Sequence, residues 1–175
     1  MATAPEKPAS TSQLDLVLTR KIDAPPALIW KAWTDPEHIK KWWTPAPWTT
    51  VECEMDLRPG GIFRTVMRSP EGEDFPGVGC FLELVENERI AWTNALEPGF
   101  RPATNDAASE QDLDCHSLIF TAIVTLEEQA GGTQYTARVL HKDEAGRKRH
   151  EEMGFHDGWG KCLDQLAALM ARLKG

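Results

Sequence analysis

The chain is poor in whatever would mark a basic surface, a disulfide framework or a membrane span. Its 19 Lys and Arg stand against 27 Asp and Glu, a formal charge of −8 at pH 7 over 175 residues. Nonspecific binding to nucleic acid or to an anionic membrane needs a basic patch, so neither is expected as a partner. The one basic run, Arg147-Lys148-Arg149, is short, has acidic neighbours and reads as a solvated helix start. Cys53, Cys80, Cys115 and Cys162 are scattered, with no C-x-x-C spacing. That excludes the common zinc and thioredoxin-type motifs and predicts free thiols in a cytoplasmic protein. No run approaches the ~18 apolar residues of a membrane span. The N-terminus has no apolar signal region, and residues 1–13 are small, polar and Pro-containing, which predicts a disordered tail.

Motifs for several reaction classes are also missing. There is no G-x-S-x-G nucleophile elbow. Gly77-Val78-Gly79 falls inside a strand pattern and opens no helix, so no phosphate or dinucleotide loop is indicated. His150-Glu151-Glu152-Met153-Gly154 resembles the start of H-E-x-x-H but has Gly where the second His belongs. His150 and His156 fall on different helix faces, so no metal is expected, and nothing calls for a cofactor.

What the chain does have is tryptophan. Trp30, Trp33, Trp42, Trp43 and Trp48 crowd around two short helical patterns. Each indole brings a large apolar area and an N–H that wants a partner, so together they must line a core, a pocket or a binding surface. Trp30, Trp33 and Trp42 recur at helical spacing and read as core, whereas Trp43 and Trp48 flank a Pro-rich loop. Pro26 suits a first helical turn; Asp35, Pro36 and Glu37 are a good N-cap, first residue and dipole partner for a second helix.

The pattern before these helices alternates over residues 14–22, with Leu14, Leu16, Leu18 and Ile22 on one face. Strands are expected afterwards over 49–56, 62–68, 78–85, 89–94, 118–126 and 134–141. In the strand over 62–68, Phe63, Thr65 and Met67 share a face away from Arg64 and Arg68. Residues 58–61 read as a turn and 86–88 as a tight polar one. The long polar stretch 97–114 is a candidate lid. A final helix carries Trp159, Leu163, Leu166, Met170 and Leu173 as an apolar stripe, and tolerates Gly154, Gly158 and Gly160 near its start. Three such residues imply close backbone approach or space left beside the helix.

This order predicts an α+β fold. Meander-connected strands make an antiparallel sheet. One long helix cannot flatly cover six or seven twisted strands, so the sheet should curl around it and leave a wedge. Residues 14–175 form one such domain.

Four stretches carry a family resemblance: A-P-P-A-L-I-W-K-A-W-T-D-P-E-H-I-K-K-W-W (24–43), D-L-R-P-G-G (56–61), E-R-I-A-W-T (88–93) and G-W-G-K-C-L-D-Q-L-A (158–167). Together they resemble the START-like (SRPBCC) superfamily, in its branch named after the activator of heat-shock protein 90 ATPase. The resemblance spans about residues 14–173. It implies a helix-grip fold, a curved antiparallel sheet wrapped around the C-terminal helix over an apolar cavity. Superfamily members bind lipids, sterols, polyketides or hormones, some cyclise polyketides, and the namesake binds a chaperone.

The expected function is therefore binding of a small hydrophobic or amphipathic ligand, by a monomer or homodimer. Strand parity and helix phase nominate Met67, Leu82, Trp92, Phe120, His141, His156, Trp159 and Leu163 as cavity liners, with Trp43 and Trp48 at the entrance. Asn94 shares a face with Ile90 and Trp92 and would orient a polar group. If His141 and His156 both point into the wedge, they would orient or deprotonate a ligand, as a cyclase or isomerase on a hydrophobic substrate requires. If they sit at its rim, they are solvated or cap backbone, and this reading favours binding over catalysis. The third reading is a co-chaperone-like module acting on an ATPase.

Overall fold

Prolines and an aspartate set the first half of the chain, in a computed structural model that describes residues 11–103 and 118–174. Thr11–Leu14 form a 3-10 turn leading into β1 (Asp15–Ile22). Residues 1–10 of the expected tail and 104–114 of the expected lid lie outside the described residues. Pro26 opens α1 (Pro26–Thr34), and Pro36 opens α2 (Pro36–Trp42). Asp35 serves both: its N–H donates to the Lys31 carbonyl at 3.0 Å to close α1, and its carboxylate accepts from Glu37 N–H at 2.9 Å to start α2.

The strands follow as β2 (Thr49–Met55), β3 (Ile62–Arg68), β4 (Asp74–Val85) and β5 (Arg89–Thr93), then a small hairpin of β6 (Leu96–Glu97) and β7 (Arg101–Pro102). The last two are β8 (Phe120–Gln129) and β9 (Gly132–His141). Seven form one antiparallel sheet in the order β1-β9-β8-β5-β4-β3-β2, so β1 closes against the last strand. Two helices end the chain, α3 (Glu144–Glu152) and α4 (Phe155–Lys174). α2 packs on β2 at one edge of the sheet and α4 on β1 at the other, while α2 and α4 touch each other. The sheet must therefore curl around its helices, which is the α+β grip that the element order predicts.

Alternation sorts the two faces as expected along most strands. Leu16 and Ile22 on β1, Ala122, Val124 and Leu126 on β8, and Tyr135, Ala137 and Val139 on β9 are buried toward the helices. Val17, Val78 and Val85 look outward. Arg20 has inward parity on β1 and reaches α4, pairing with Asp164 and donating to the Gly160 carbonyl. A Cβ on Gly160 would sit 3.3 Å from the Arg20 guanidinium, so this glycine makes room for it.

Two of the local irregularities change which nominated residues face the core. The first is a bulge on β4: Phe81 pairs with Trp92 but Glu83 with Ala91, leaving Leu82 as the extra residue. Phe81 and Leu84 thus both join the core, and Leu82 does not. Strand parity nominated Leu82; Phe81 instead continues the inward parity of Phe75 and Gly77, and the bulge brings Leu84 inward after it. The second is Gly154, whose φ of +92° ends α3 and starts α4 at a new angle. The apolar stripe of α4 consequently begins at Phe155 and includes Leu169, while Leu173 is 43% exposed because the core ends at Met170.

Candidate functional site

The inner face of the sheet carries a continuous row of rings. Trp33 of α1 meets Trp42 and Trp43 edge-to-face, with centroids 5.2 Å apart in each pair. Trp42 donates its indole N–H to the Ala32 carbonyl at 3.0 Å, which fixes α2 on α1. Trp43 then reaches the sheet, 5.0 Å from Phe63 and 5.8 Å from Trp92. From Trp92 the row continues to Phe120 at 5.4 Å and to Trp159 of α4 at 6.2 Å. Trp33 and Trp42 are core, as expected. Trp43, Trp92, Phe120 and Trp159 are brought together, and Leu163 is buried beneath them in α4.

Trp43 is a member of this row, while Trp48 stands apart from it. Trp48 packs on Phe75 at 5.4 Å, and Met67 is the cross-strand neighbour of Phe75. The loop between the two tryptophans is held by α4. Gln165 donates to the carbonyls of Trp42 and Thr44 at 3.1 and 2.8 Å and accepts from Ala46 N–H at 2.9 Å. The Cys162 thiol donates to the Trp43 carbonyl at 3.2 Å. Nothing in the linear sequence marks Gln165, because all three partners lie over a hundred residues upstream.

Two glycines beside this loop leave space. Gly77 shares the inward parity of Phe75 and Phe81, opposite Thr65, and Gly158 lies one turn before Cys162 on α4. A Cβ at either position would meet nothing within 4 Å. Trp92 is only 7% exposed, yet its indole N–H has no hydrogen-bond partner among the described residues. A sealed, unpaired donor is uncommon in folded proteins and calls for an explanation.

The structure places the two nominated histidines apart. His156 is exposed, and the structure does not bring it to His141. The new phase of α4 turns Phe155 inward and His156 out. His150 takes the inward place from α3. His141 is 6% exposed; its Nδ1 lies 2.9 Å from the Leu14 carbonyl and its Nε2 lies 2.9 Å from His150 Nδ1. The His150 ring also packs on Phe120 at 5.3 Å and on Phe155 at 5.1 Å. A signal for this arrangement existed: counting back four from Trp159 lands on Phe155. Asn94 is engaged by backbone. Its side chain donates to the Leu118 carbonyl at 2.7 Å and accepts from Phe120 N–H at 2.9 Å, so both ends are used in joining β8 to β5.

Comparisons with known proteins agree with this fold. Residues 23–171 match the family described as Activator of Hsp90 ATPase homolog 1-like protein. The chain belongs to that family. A crystal structure of a Nitrosomonas europaea protein is similar at 44% identity over 93% of this chain and 97% of that one, with a TM-score of 0.84. A Mycobacterium smegmatis structure matches at 27% identity, covering 92% and 93% of the two chains, with a TM-score of 0.68. An AHSA1-like protein of Aeromonas hydrophila shares the fold at 18% identity, covering 91% and 94%, with a TM-score of 0.66. No curated protein matches. Within the family's matched span lie the ring row, both open glycines and the histidine pair.

Burial sets the charge state of several titratable groups in this family member. Burial pushes the Cys53 thiol up to about 11 and the Cys162 thiol up to about 12, so neither is a thiolate at neutral pH. Among the described residues no cluster of three or more His, Cys, Asp or Glu could hold a metal, and no helix is long and apolar enough to cross a membrane. Burial, and secondarily the charge of His141, pushes His150 down to about 4. The ring packs against β8, β9 and α4, and His141 is the one titratable group among those contacts.

Stability should follow that depression. Below an ordinary histidine pKa of about 6.5, the unfolded chain takes up a proton that folded His150 refuses. The contribution is complete above that pH and is lost as pH falls to about 4, for roughly 2–3 kcal/mol. Urea unfolding at pH 7 and pH 5 checks it. The native protein should lose stability between the two, and His150→Phe should flatten that difference. An equal slope in both proteins would assign the acid sensitivity elsewhere.

Proposed function

We propose that the protein binds a small apolar or amphipathic molecule between the curved sheet and α4, against the rings of Trp43, Trp92, Phe120 and Trp159. The observation that carries this reading is the buried Trp92 N–H without a partner. Leaving such a donor unpaired costs about 1–3 kcal/mol, which a ligand oxygen would recover. The open space at Gly77 and Gly158 supports it further. Apolar burial would supply affinity at about 25 cal/mol per Å2, and the ring row offers flat faces for stacking.

Thermal unfolding against fatty acids, sterols, flavonoids and aromatic polyketides tests the reading. A ligand at a hundred times its Kd adds roughly 2.7 kcal/mol, which for a chain of this size raises Tm by about 5–10 °C. Gly158→Leu, which places a side chain in the open space, should abolish the shift while leaving the unliganded protein folded. A shift that survives this substitution would remove the site from the wedge.

A second reading comes from the family's name, an activator of an ATPase. It fits an outer surface instead: Leu57 and Phe100 are exposed beside a depression of about 520 Å3 formed by residues 56, 58–62 and 98–100. Stimulation of a chaperone ATPase that persists in Gly158→Leu would favour it over ligand binding.

A further inference from the structure

The histidine pair has a direction. A carbonyl only accepts, so His141 must present Nδ1–H to Leu14. Neutral His141 then has a bare Nε2, which can only accept, and His150 must present Nδ1–H to it. The remaining nitrogen, His150 Nε2, is consequently a bare acceptor. It points away from His141 and has no hydrogen-bond partner among the described residues. Like Trp92, which is 7% exposed, His150 is buried, at 8% exposed. The two groups flank one ring: Phe120 lies 5.4 Å from Trp92 and 5.3 Å from His150. One end of the ring row thus offers an unused donor and, one ring away, an unused acceptor.

From this juxtaposition we infer that the site takes a flat apolar ligand bearing a hydroxyl, phenolic or enolic, which donates to His150 Nε2, while a second ligand oxygen accepts from the Trp92 indole. His141 is a positioning residue: held by the Leu14 carbonyl, it fixes the His150 tautomer that leaves Nε2 bare. A single proton added to the pair reverses the arrangement, because either protonated form places a hydrogen on His150 Nε2. The site then repels the hydroxyl donor it otherwise selects. The depressed His150 keeps the accepting form at neutral pH.

The inference rests on the ligand-binding reading above and deepens it. The test is calorimetric titration at pH 7 with 2-naphthol, 2-methoxynaphthalene and 2-fluoronaphthalene, of which only the first carries the donor. In the native protein 2-naphthol should bind about five- to tenfold more tightly than the other two, the worth of one neutral hydrogen bond. His150→Phe should bring 2-naphthol to their level and leave theirs unchanged. His150→Gln, whose amide can donate to His141 and accept from the ligand, should restore the preference. Equal binding of all three to the native protein overturns the inference and leaves the cavity reading standing. So does a His150→Phe variant that weakens all three alike, since that is loss of structure and not of an acceptor. No binding of any, together with a flat Tm panel, overturns the cavity reading and this inference with it.

Discussion

Gly61→Ala should destabilise the protein by at least about 3–4 kcal/mol, the range for backbone clashes that nothing can relieve. The turn through residues 56–61 is held by short backbone bonds. Arg58 N–H donates to the Asp56 carbonyl at 2.8 Å, and Gly61 N–H to the Arg58 carbonyl at 2.8 Å. A Cβ on Gly61 would sit 1.9 Å from the Asp56 carbonyl oxygen and 2.9 Å from that of Arg58. Neither oxygen can retreat, because each is already an acceptor in the turn. The turn is also tied to β4, where Gly60 N–H donates to the Phe81 carbonyl at 2.7 Å and Phe81 N–H to the Gly61 carbonyl at 2.9 Å. Relief at one point therefore breaks bonds at the other. Gly77→Ala is the matched control: the same substitution in a strand, with a Cβ that meets nothing within 4 Å. It should change stability by no more than about 0.5 kcal/mol, or raise it slightly by restricting the unfolded chain. Urea melts of the two variants decide the matter, and similar midpoints would mean that the turn is looser than its hydrogen bonds indicate.

Trp33→Ala should cost about 3–5 kcal/mol, as expected for removing a large buried aromatic. Trp33 is 2% exposed and is the hub of the α1–α2 side of the core, with Trp42 and Trp43 edge-on and Phe63 at 6.5 Å. Each edge-to-face pair is worth about 0.5–1.5 kcal/mol beyond the area it buries, so two such pairs are lost along with the volume. The cavity cannot collapse, because α1 is pinned by the Trp42 indole on the Ala32 carbonyl. Trp48→Ala is the counterpart. It packs on Phe75 outside the ring row and should cost only about 1 kcal/mol. Chemical denaturation measures both, and near-UV circular dichroism should lose its tryptophan structure in Trp33→Ala alone. Comparable losses would mean that the five clustered tryptophans are not divided into core and rim.

Much of the layout was legible in the chain. Pro26, Asp35 and Pro36 announce their helices because capping and proline geometry act within one turn. Tyr135, Ala137, Val139 and His141 face inward because strand parity repeats every two residues and nothing interrupts β9. The four motifs pointed to the family that the comparisons establish. Phe120, Trp92, Trp159 and Leu163 followed from the same periodicities.

The errors came where a period is reset. Leu82 gave way to Phe81 because a bulge inserts Leu82 between two inward residues, Phe81 in phase with Phe75 and Gly77 and Leu84 in phase with the rest of the strand. His156 gave way to Phe155 because Gly154 restarts the helix, and the apolar ring at 155 takes the buried position. Asn94 was spent on a neighbouring backbone that the sequence places more than twenty residues away.

By itself, then, the sequence determined the element order, the curled α+β architecture and the tryptophan-rich inner face. Those properties depend on local preference, composition and hydrophobic period, all of which are written residue by residue. The tertiary structure alone decided that His150 pairs with His141, that Gln165 clamps the loop after Trp43, and that Trp92 is left with an unused N–H. Each depends on the placement of groups from separate elements to within a hydrogen-bond length, and no local rule carries that precision across the chain.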